Sequence, residues 1–204
     1  FTQAGGTAQV LNATGTTTTI YYESGSTFNG AVTTSAPLIY LNGTTFASTL
    51  GLTQTGAAAA TSSGGCTFTG ATTLTNSGTA TWTLGNTTAD IFQNNLTVNA
   101  SGVNAQINLA HTGAGNQFNG NIVLNSYNGA AGIRIGNNNG TSTLAATKTI
   151  SVGGSGFSAG SLRIRNLTQV GATAQTLNIT GASASFYLES GNTFNGAVTF
   201  TAPQ

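Results

Sequence analysis

Charged side chains are nearly absent from this chain, at only 3% of its 204 residues. They are Glu23, Asp90, Arg134, Lys148, Arg163, Arg165 and Glu189. Disordered regions combine high net charge with low hydrophobicity, whereas this chain has a net charge of +1 and 38% hydrophobic residues, so it is expected to fold. The low charge also excludes the strong basic field of a nucleic-acid-binding protein. Nucleic acid is therefore not an expected partner.

Cysteine and histidine occur once each, and methionine is missing. A lone Cys66 excludes an intramolecular disulfide and a cysteine-based zinc site, so we expect a small buried hydrophobe there. His111 has no metal-ligating or acidic neighbour in sequence, and we expect a solvated residue at a corner. No cofactor or metal is expected. Because no apolar run reaches the roughly 18 residues of a membrane span, this segment is not expected to insert into a membrane.

Small and β-forming residues take the place of the missing ones. Threonine, glycine, asparagine, alanine and serine supply most of the chain, and strong helix formers are rare. Threonine suits pleated strands, while glycine and asparagine suit the turns between them. The composition therefore predicts an all-β fold.

One long segment occurs twice. Residues 2–37 match residues 168–203 without a gap, at an offset of 166, with 23 of the 36 aligned positions identical. Self-similarity at a fixed spacing is typical of architectures in which units stack along one axis. We interpret residues 1–204 as one continuous solenoid segment that holds one 166-residue unit and the start of the next. Both ends resemble interior points of the repeat, so the chain is expected to continue in both directions.

A shorter rhythm runs inside the long repeat. An apolar-x-apolar triplet recurs about every 24 residues, which suits one coil of a parallel β-helix, or β-solenoid. The triplets begin at Ile20, Ile39, Trp82, Ile107, Ile133, Leu162 and Phe186, with a weaker alanine-rich version near Ala58 to Ala60. Alternation puts the outer two residues of each triplet inside and the middle one outside. Right-handed winding is expected, since parallel crossovers are overwhelmingly right-handed. Seven coils would advance the axis by about 34 Å per unit.

A second column of residues follows several triplets after a turn, as an aromatic residue near a glycine or asparagine. Its members are Phe28, Phe68, Phe92, Phe118 and Phe194. The preserved feature is a turn geometry that tolerates a left-handed backbone. The glycine-rich stretch from Gly153 to Gly160 precedes no helix that could complete a phosphate-binding loop, so we interpret it as a flexible loop at a corner.

Six side chains are candidates for surface contact. They are Tyr21, Tyr40, Tyr187, Arg134, Arg163 and Arg165. The arginines could form a shallow basic patch for acidic glycans or a neighbouring filament, or simply a solvated face. The outward tyrosines could stack on sugars, or could form a ladder between coils that stabilises the stack.

Catalysis is not expected from these residues. Glu23 and Glu189 occupy the same place in two copies of the long repeat, about 34 Å apart by the coil spacing, so they cannot act as an acid-base pair. Asp90 has no acidic neighbour in sequence. The Thr81-Trp82-Thr83 pattern is similar to the faces of ice-binding solenoids, but ice binding would need such pairs in register on consecutive coils.

Three phrases carry a resemblance to a known group of proteins. The segments at residues 23–33 and 189–199, 114–122, and 140–153 resemble repeats of very long secreted surface proteins of Bacteroidota. Some of those proteins are giant adhesins associated with gliding and with type IX secretion. The resemblance implies an extracellular or cell-surface fibre, and it transfers no functional residue. The leading hypothesis is thus a structural and adhesive filament segment, whose partners are neighbouring repeats end to end and surface glycans or other filaments. The alternatives are a carbohydrate-binding or carbohydrate-processing β-helix and an ice-binding solenoid.

Overall fold

The computed structural model describes residues 1–128, 132–137 and 139–202. Pro203, the last residue of the duplicated segment, lies outside the described residues. The described chain is all-β, and its strands stack in parallel as a solenoid of about eight coils. The predicted fold class is therefore confirmed. No helix in the described ranges is long and apolar enough to cross a membrane.

Each coil contributes strands to three faces, which the chain visits in a fixed order. The first face consists of Gln9–Asn12, Val32–Ala36, Leu50–Gln54, Thr72–Asn76, Leu96–Ala100, Ile122–Ser126 and Ile150–Phe157, followed by the pair Gln175–Asn178 and Val198–Thr201. The second face consists of the pair Thr19–Tyr22 and Leu38–Leu41, followed by Ala60–Thr61, Thr81–Thr83, Gln106–Leu109, Gly132–Ile135, Ala159–Ile164 and Ser183–Leu188. The third face consists of Thr27–Phe28, Thr45–Phe46, Thr67–Phe68, Ile91–Phe92, Asn116–Phe118, Ser142–Leu144 and Leu167–Gln169.

The coils differ in length, although their strands stay in register. On the first face the paired residues Val32 and Leu50 are 18 positions apart, whereas Ile122 and Ile150 are 28 apart. Most of the extra residues lie at the corners, and the one register shift among the described pairings falls between Ile122–Ser126 and Ile150–Phe157. A mean near 24 residues per coil agrees with the spacing of the apolar triplets.

The interior is built from the inward residues of each face. On the second face the predicted triplets align, with Ile20 beside Ile39, Trp82 beside Ile107, and Leu162 beside Phe186. On the third face phenylalanines stack on five consecutive coils, with ring centroids 4.5 to 5.7 Å apart. These are Phe28, Phe46, Phe68, Phe92 and Phe118. Stacked aromatic pairs add stability beyond the apolar area that they bury.

The second face is interrupted once, between Leu38–Leu41 and Ala60–Thr61. Side chains take over the hydrogen bonds that a continuous ladder would have made. The backbone N–H of Ile39 donates to Gln54 at 3.4 Å, and that of Leu41 donates to the Ser62 hydroxyl at 3.0 Å. The Trp82 indole donates to the carbonyl of Ile39 at 3.1 Å. The buried backbone groups therefore keep partners, as they must in an apolar interior.

The glycine-rich stretch predicted to be a loop is instead strand. Gly153 lies within Ile150–Phe157, and Gly160 lies within Ala159–Ile164. The prediction was wrong because backbone pairing with the preceding coil holds both ends of Ile150–Phe157. The register shifts there, from Leu124 opposite Val152 to Ser126 opposite Phe157, so the extra residues form a bulge.

Candidate functional site

A single outward column on the second face contains five of the six predicted surface-contact residues. Its register runs through Tyr21, Tyr40, Thr61, Thr83, Asn108, Arg134, Arg163 and Tyr187, with one break between Tyr40 and Thr61. Thr83 and Asn108 are buried, and the Asn108 amide donates to the Thr83 hydroxyl at 3.3 Å. The column therefore has an aromatic part, a buried polar part and a basic part.

The aromatic part is formed by Tyr21 and Tyr40. Their rings are stacked, with centroids 5.0 Å apart and planes 15° from parallel. Tyr21 is 61% exposed, while Tyr40 is half-buried. Because each ring face points along the solenoid axis toward the other ring, this geometry favours the ladder interpretation over a platform for sugars.

The basic part is centred on Arg163. Its Nη1 donates to Oε1 of Glu189 at 2.9 Å, and its guanidinium lies 4.3 Å from the ring centroid of Tyr187. Tyr187 remains 43% exposed. Nε of Arg163 also donates to the Ser161 hydroxyl at 3.4 Å. Three contacts thus hold this guanidinium at the surface.

An open groove of about 470 Å³ lies beside this arginine. Its lining includes Ser161, Arg163, Ser183, Ser185 and Tyr187. The strands that build it, Ala159–Ile164 and Ser183–Leu188, are the longest of the second face at six residues each. Because serine occupies three of the outward positions, the groove is shallow and rich in hydroxyl groups.

Arg134 and Arg165 flank Arg163 on the same face. Arg134 is paired with Arg163 across adjacent coils, and Arg165 follows Arg163 by two residues. Within the described residues, the Nε atoms of Arg134 and Arg165 are buried and have no hydrogen-bond partner. The ion pair of Arg163 with Glu189 is the only one in the described part of the chain. Two guanidinium groups therefore lack a carboxylate partner there.

His111 lies at a corner as predicted, between Gln106–Leu109 and Asn116–Phe118, and is partly exposed, but its ring also takes part in a polar ladder. One ring nitrogen, Nδ1, lies 2.9 Å from Oδ1 of Asn86, and the other, Nε2, accepts from Asn137 at 2.8 Å. The ladder forms because residues that follow three consecutive second-face strands meet side by side. Burial lowers the pKa of His111, and the charge of Arg134 lowers it further, which favours the neutral ring.

Asp90 is a buried carboxylate on the inner side of the third face. Its Oδ1 accepts from the backbone N–H of Cys66 at 2.9 Å, while its Oδ2 has no hydrogen-bond partner in the described chain. Burial raises the pKa of Asp90 to about 7, although the backbone N–H groups of Cys66, Gly65 and Gly85 oppose the shift. Burial and the Asp90 charge raise the pKa of Cys66 to about 12, so the thiol stays protonated.

A buried polar column contains Asp90, and sequence reasoning missed it. It comprises Thr44, Cys66, Asp90, Asn116 and Ser142, all buried and each two residues before the inward residue of its third-face strand. The sequence did contain one indication of this column. Asp90 precedes the inward Phe92 by two residues, and residues two apart lie on the same face of a strand. Among the described residues, no group of three or more acidic, cysteine or histidine side chains could hold a metal ion.

Comparison with protein-family models, with curated proteins and with solved structures finds no match to this chain. The geometry of the solenoid and its surfaces is thus the basis for assigning a function.

Proposed function

We propose that this chain is a structural and adhesive segment of an extracellular repetitive filament, such as the stalk of a cell-surface adhesin. The observation that carries the proposal is the continuous first face, on which seven strands from Gln9–Asn12 to Ile150–Phe157 pair in parallel. Hydrogen bonds between coils then run along the long axis, so length grows with each coil that is added.

The duplicated segment supports the same proposal. Gln9–Asn12 and Gln175–Asn178 are equivalent in the long repeat, and both lie on the first face. The Gln175 side chain accepts a hydrogen bond from the backbone N–H of Ile150 at 2.7 Å, which joins the second copy to the stack. Further units are the proposed end-to-end partners. The resemblance to secreted Bacteroidota adhesin repeats supports a place outside the cell.

The positions of the carboxylates support a role that is not enzymatic. Glu23 accepts from the Asn42 amide at 3.4 Å, and Glu189 is paired with Arg163. Asp90 is buried on the third face. Since the three acids lie on different coils, none is placed to act with another as acid and base.

The filament proposal is tested by the axial length of one unit. A protein with four consecutive 166-residue units is expected to appear in electron micrographs as a straight rod, lengthening by about 34 Å for every unit added. That increment corresponds to seven coils. Beads joined by flexible links, or a clearly different increment, would contradict the proposal.

Ice binding is a second candidate, and one observation favours it. On the first face, Thr73 and Thr75 point outward beside Thr97 and Asn99 of the next coil. This puts two pairs of small polar side chains in register. However, the Asn99 amide donates to the Thr75 hydroxyl at 3.1 Å, so part of this surface is bonded to itself. Thermal hysteresis in solutions of the chain would favour this candidate over the filament.

A further inference from the structure

We propose that the second face carries a binding surface for acidic polysaccharides, formed by the guanidinium groups of Arg134, Arg163 and Arg165 and the serine-lined groove beside Tyr187. We call it the arginine surface. This proposal names a class of ligand that the filament would bind. It depends on the proposed filament role only for the place where the ligand would be met.

The spacing of the three arginines comes from the fold. Arg134 and Arg163 are register partners, so their backbones lie about 4.8 Å apart. Arg165 follows Arg163 along the strand direction by about 6.6 Å, and its backbone N–H donates to Ile135 at 2.9 Å, which extends the ladder. Two directions of the sheet thus bring three cations onto one small area.

The charges of this area do not cancel. Glu189 offsets one of the three arginines, which leaves a local charge of +2 on a chain whose total is +1. The ion pair and the Tyr187 ring orient Arg163. Arg134 and Arg165 have no carboxylate partner among the described residues, and because their Nε atoms are buried, only their terminal nitrogens are offered to a ligand. The lowered pKa of His111, the titratable neighbour of Arg134, favours its neutral form, which adds no charge. An anionic group would complete this arrangement, because guanidinium groups bind carboxylate and sulfate in a planar, bidentate way.

The groove favours a saccharide as the carrier of that anionic group. Ser161, Ser183 and Ser185 line it together with Arg163 and Tyr187, so hydroxyl groups lie beside the central arginine of the surface. Hydroxyl groups both donate and accept, which matches the many hydroxyls of a sugar chain. Single-stranded nucleic acid fits less well, because it needs a basic groove along the backbone and aromatic faces for the bases. The Tyr187 face toward Arg163 is already covered.

The test is binding of the 204-residue chain to polygalacturonate, a polymer of carboxylated sugars, at about 0.1 M salt. Arg134→Gln and Arg165→Gln together are expected to weaken binding by about tenfold or more, since each removes a charge-assisted hydrogen bond. Lys148→Gln is the control for a change in overall charge. It removes one positive charge outside the second face and is expected to change binding by less than about twofold. Fully methyl-esterified polygalacturonate keeps the same backbone without the charge and is expected not to bind.

Several outcomes would overturn the proposal. They are no binding of polygalacturonate to the unaltered chain, equal binding of the ester, equal weakening by Lys148→Gln, and tighter binding of single-stranded DNA. Circular dichroism and thermal unfolding check that each variant folds. If the double variant does not fold, Arg165→Lys replaces it. Binding by this variant is expected to be weaker by about threefold or more, because lysine keeps the charge without the planar fork. Unchanged binding by Arg165→Lys would also overturn the proposal. The filament proposal depends on axial length alone, so the two can fail separately.

Discussion

The position of Asp90 costs free energy because it is a buried carboxyl group. A carboxylate loses its hydration when it is buried, and Asp90 has a hydrogen bond to only one of its two oxygens among the described residues. The backbone N–H groups around it recover part of that loss. The protonated form is thus the one that this site accommodates best.

We predict that stability falls as the pH rises through the range in which Asp90 ionises. The pKa of Asp90 is raised to about 7 in the folded chain and is near 4 in an unfolded one, so folding takes up a proton between these values. The free energy of unfolding that depends on Asp90 is fully present below about pH 4 and is lost as the pH rises to about 7, by an amount on the order of 4 kcal/mol.

Asp90→Asn tests this prediction. Asparagine keeps an oxygen that can accept from Cys66 and carries no charge at any pH, so the variant should be more stable than the unaltered chain at pH 8. Urea unfolding at pH 4, 6 and 8 measures the difference. His111, whose pKa is lowered, changes the free energy of unfolding with pH in the opposite direction. Both chains contain His111, so the difference between their free energies of unfolding removes its contribution. Glu23→Gln, at an exposed carboxylate, is the control. An equal pH slope in Asp90→Asn and the unaltered chain would refute the prediction.

At the scale of strands, the interruption of the second face shows how the stack tolerates an imperfect coil. Ala60 leaves room beneath Leu38–Leu41, and Trp82 of the following coil fills it. The indole reaches past Ala60 to the carbonyl of Ile39, two coils away. One side chain therefore fills the space and satisfies a buried acceptor at the same time.

Trp82→Phe is expected to destabilise the chain by about 2 to 4 kcal/mol. Phenylalanine leaves a small cavity and leaves the Ile39 carbonyl without its donor, and both effects cost free energy. Urea unfolding at fixed pH measures the loss. Phe118→Leu is the control, since it reduces a buried ring that makes no hydrogen bond and is expected to cost only about 1 to 2 kcal/mol. A smaller loss in Trp82→Phe than in Phe118→Leu would contradict this account.

The strands were predictable from the sequence where apolar residues both recurred once per coil and alternated with polar ones. The apolar triplets predicted the second face, and their alignment confirms it. The sequence pattern did not place Phe46 in the aromatic column, because no glycine follows it closely. In the structure Phe46 stacks between Phe28 and Phe68. The partner of Trp82 could not be predicted, because a contact across two coils depends on the size of Ala60 between them. The bulge in Ile150–Phe157 could not be predicted either, because no periodic pattern indicates that a ladder will resume after a shift of register.

At the scale of the whole molecule, the outward column of the second face has a fixed sequence of arginines followed by tyrosines. Arg134, Arg163 and Tyr187 follow one another on adjacent coils. Tyr187 corresponds to Tyr21 in the long repeat, and Tyr21 stacks on Tyr40. In a protein of consecutive units, each junction would therefore place two arginines beside two tyrosines. The arginine surface would then recur once per unit, about 34 Å apart along the filament.

Adding a second unit is expected to raise the stability of the entire stack. In a linear repeat, each coil is stabilised by its neighbours, so a chain extended by 166 residues gains interfaces while keeping two ends. We expect one cooperative urea transition with a higher midpoint and a steeper slope than those of the 204-residue chain, because more surface is exposed on unfolding. The control joins the same unit through about 20 glycine and serine residues, which breaks the register between coils. If both versions unfold at the midpoint of the single chain, the units fold independently and the continuous stack is refuted.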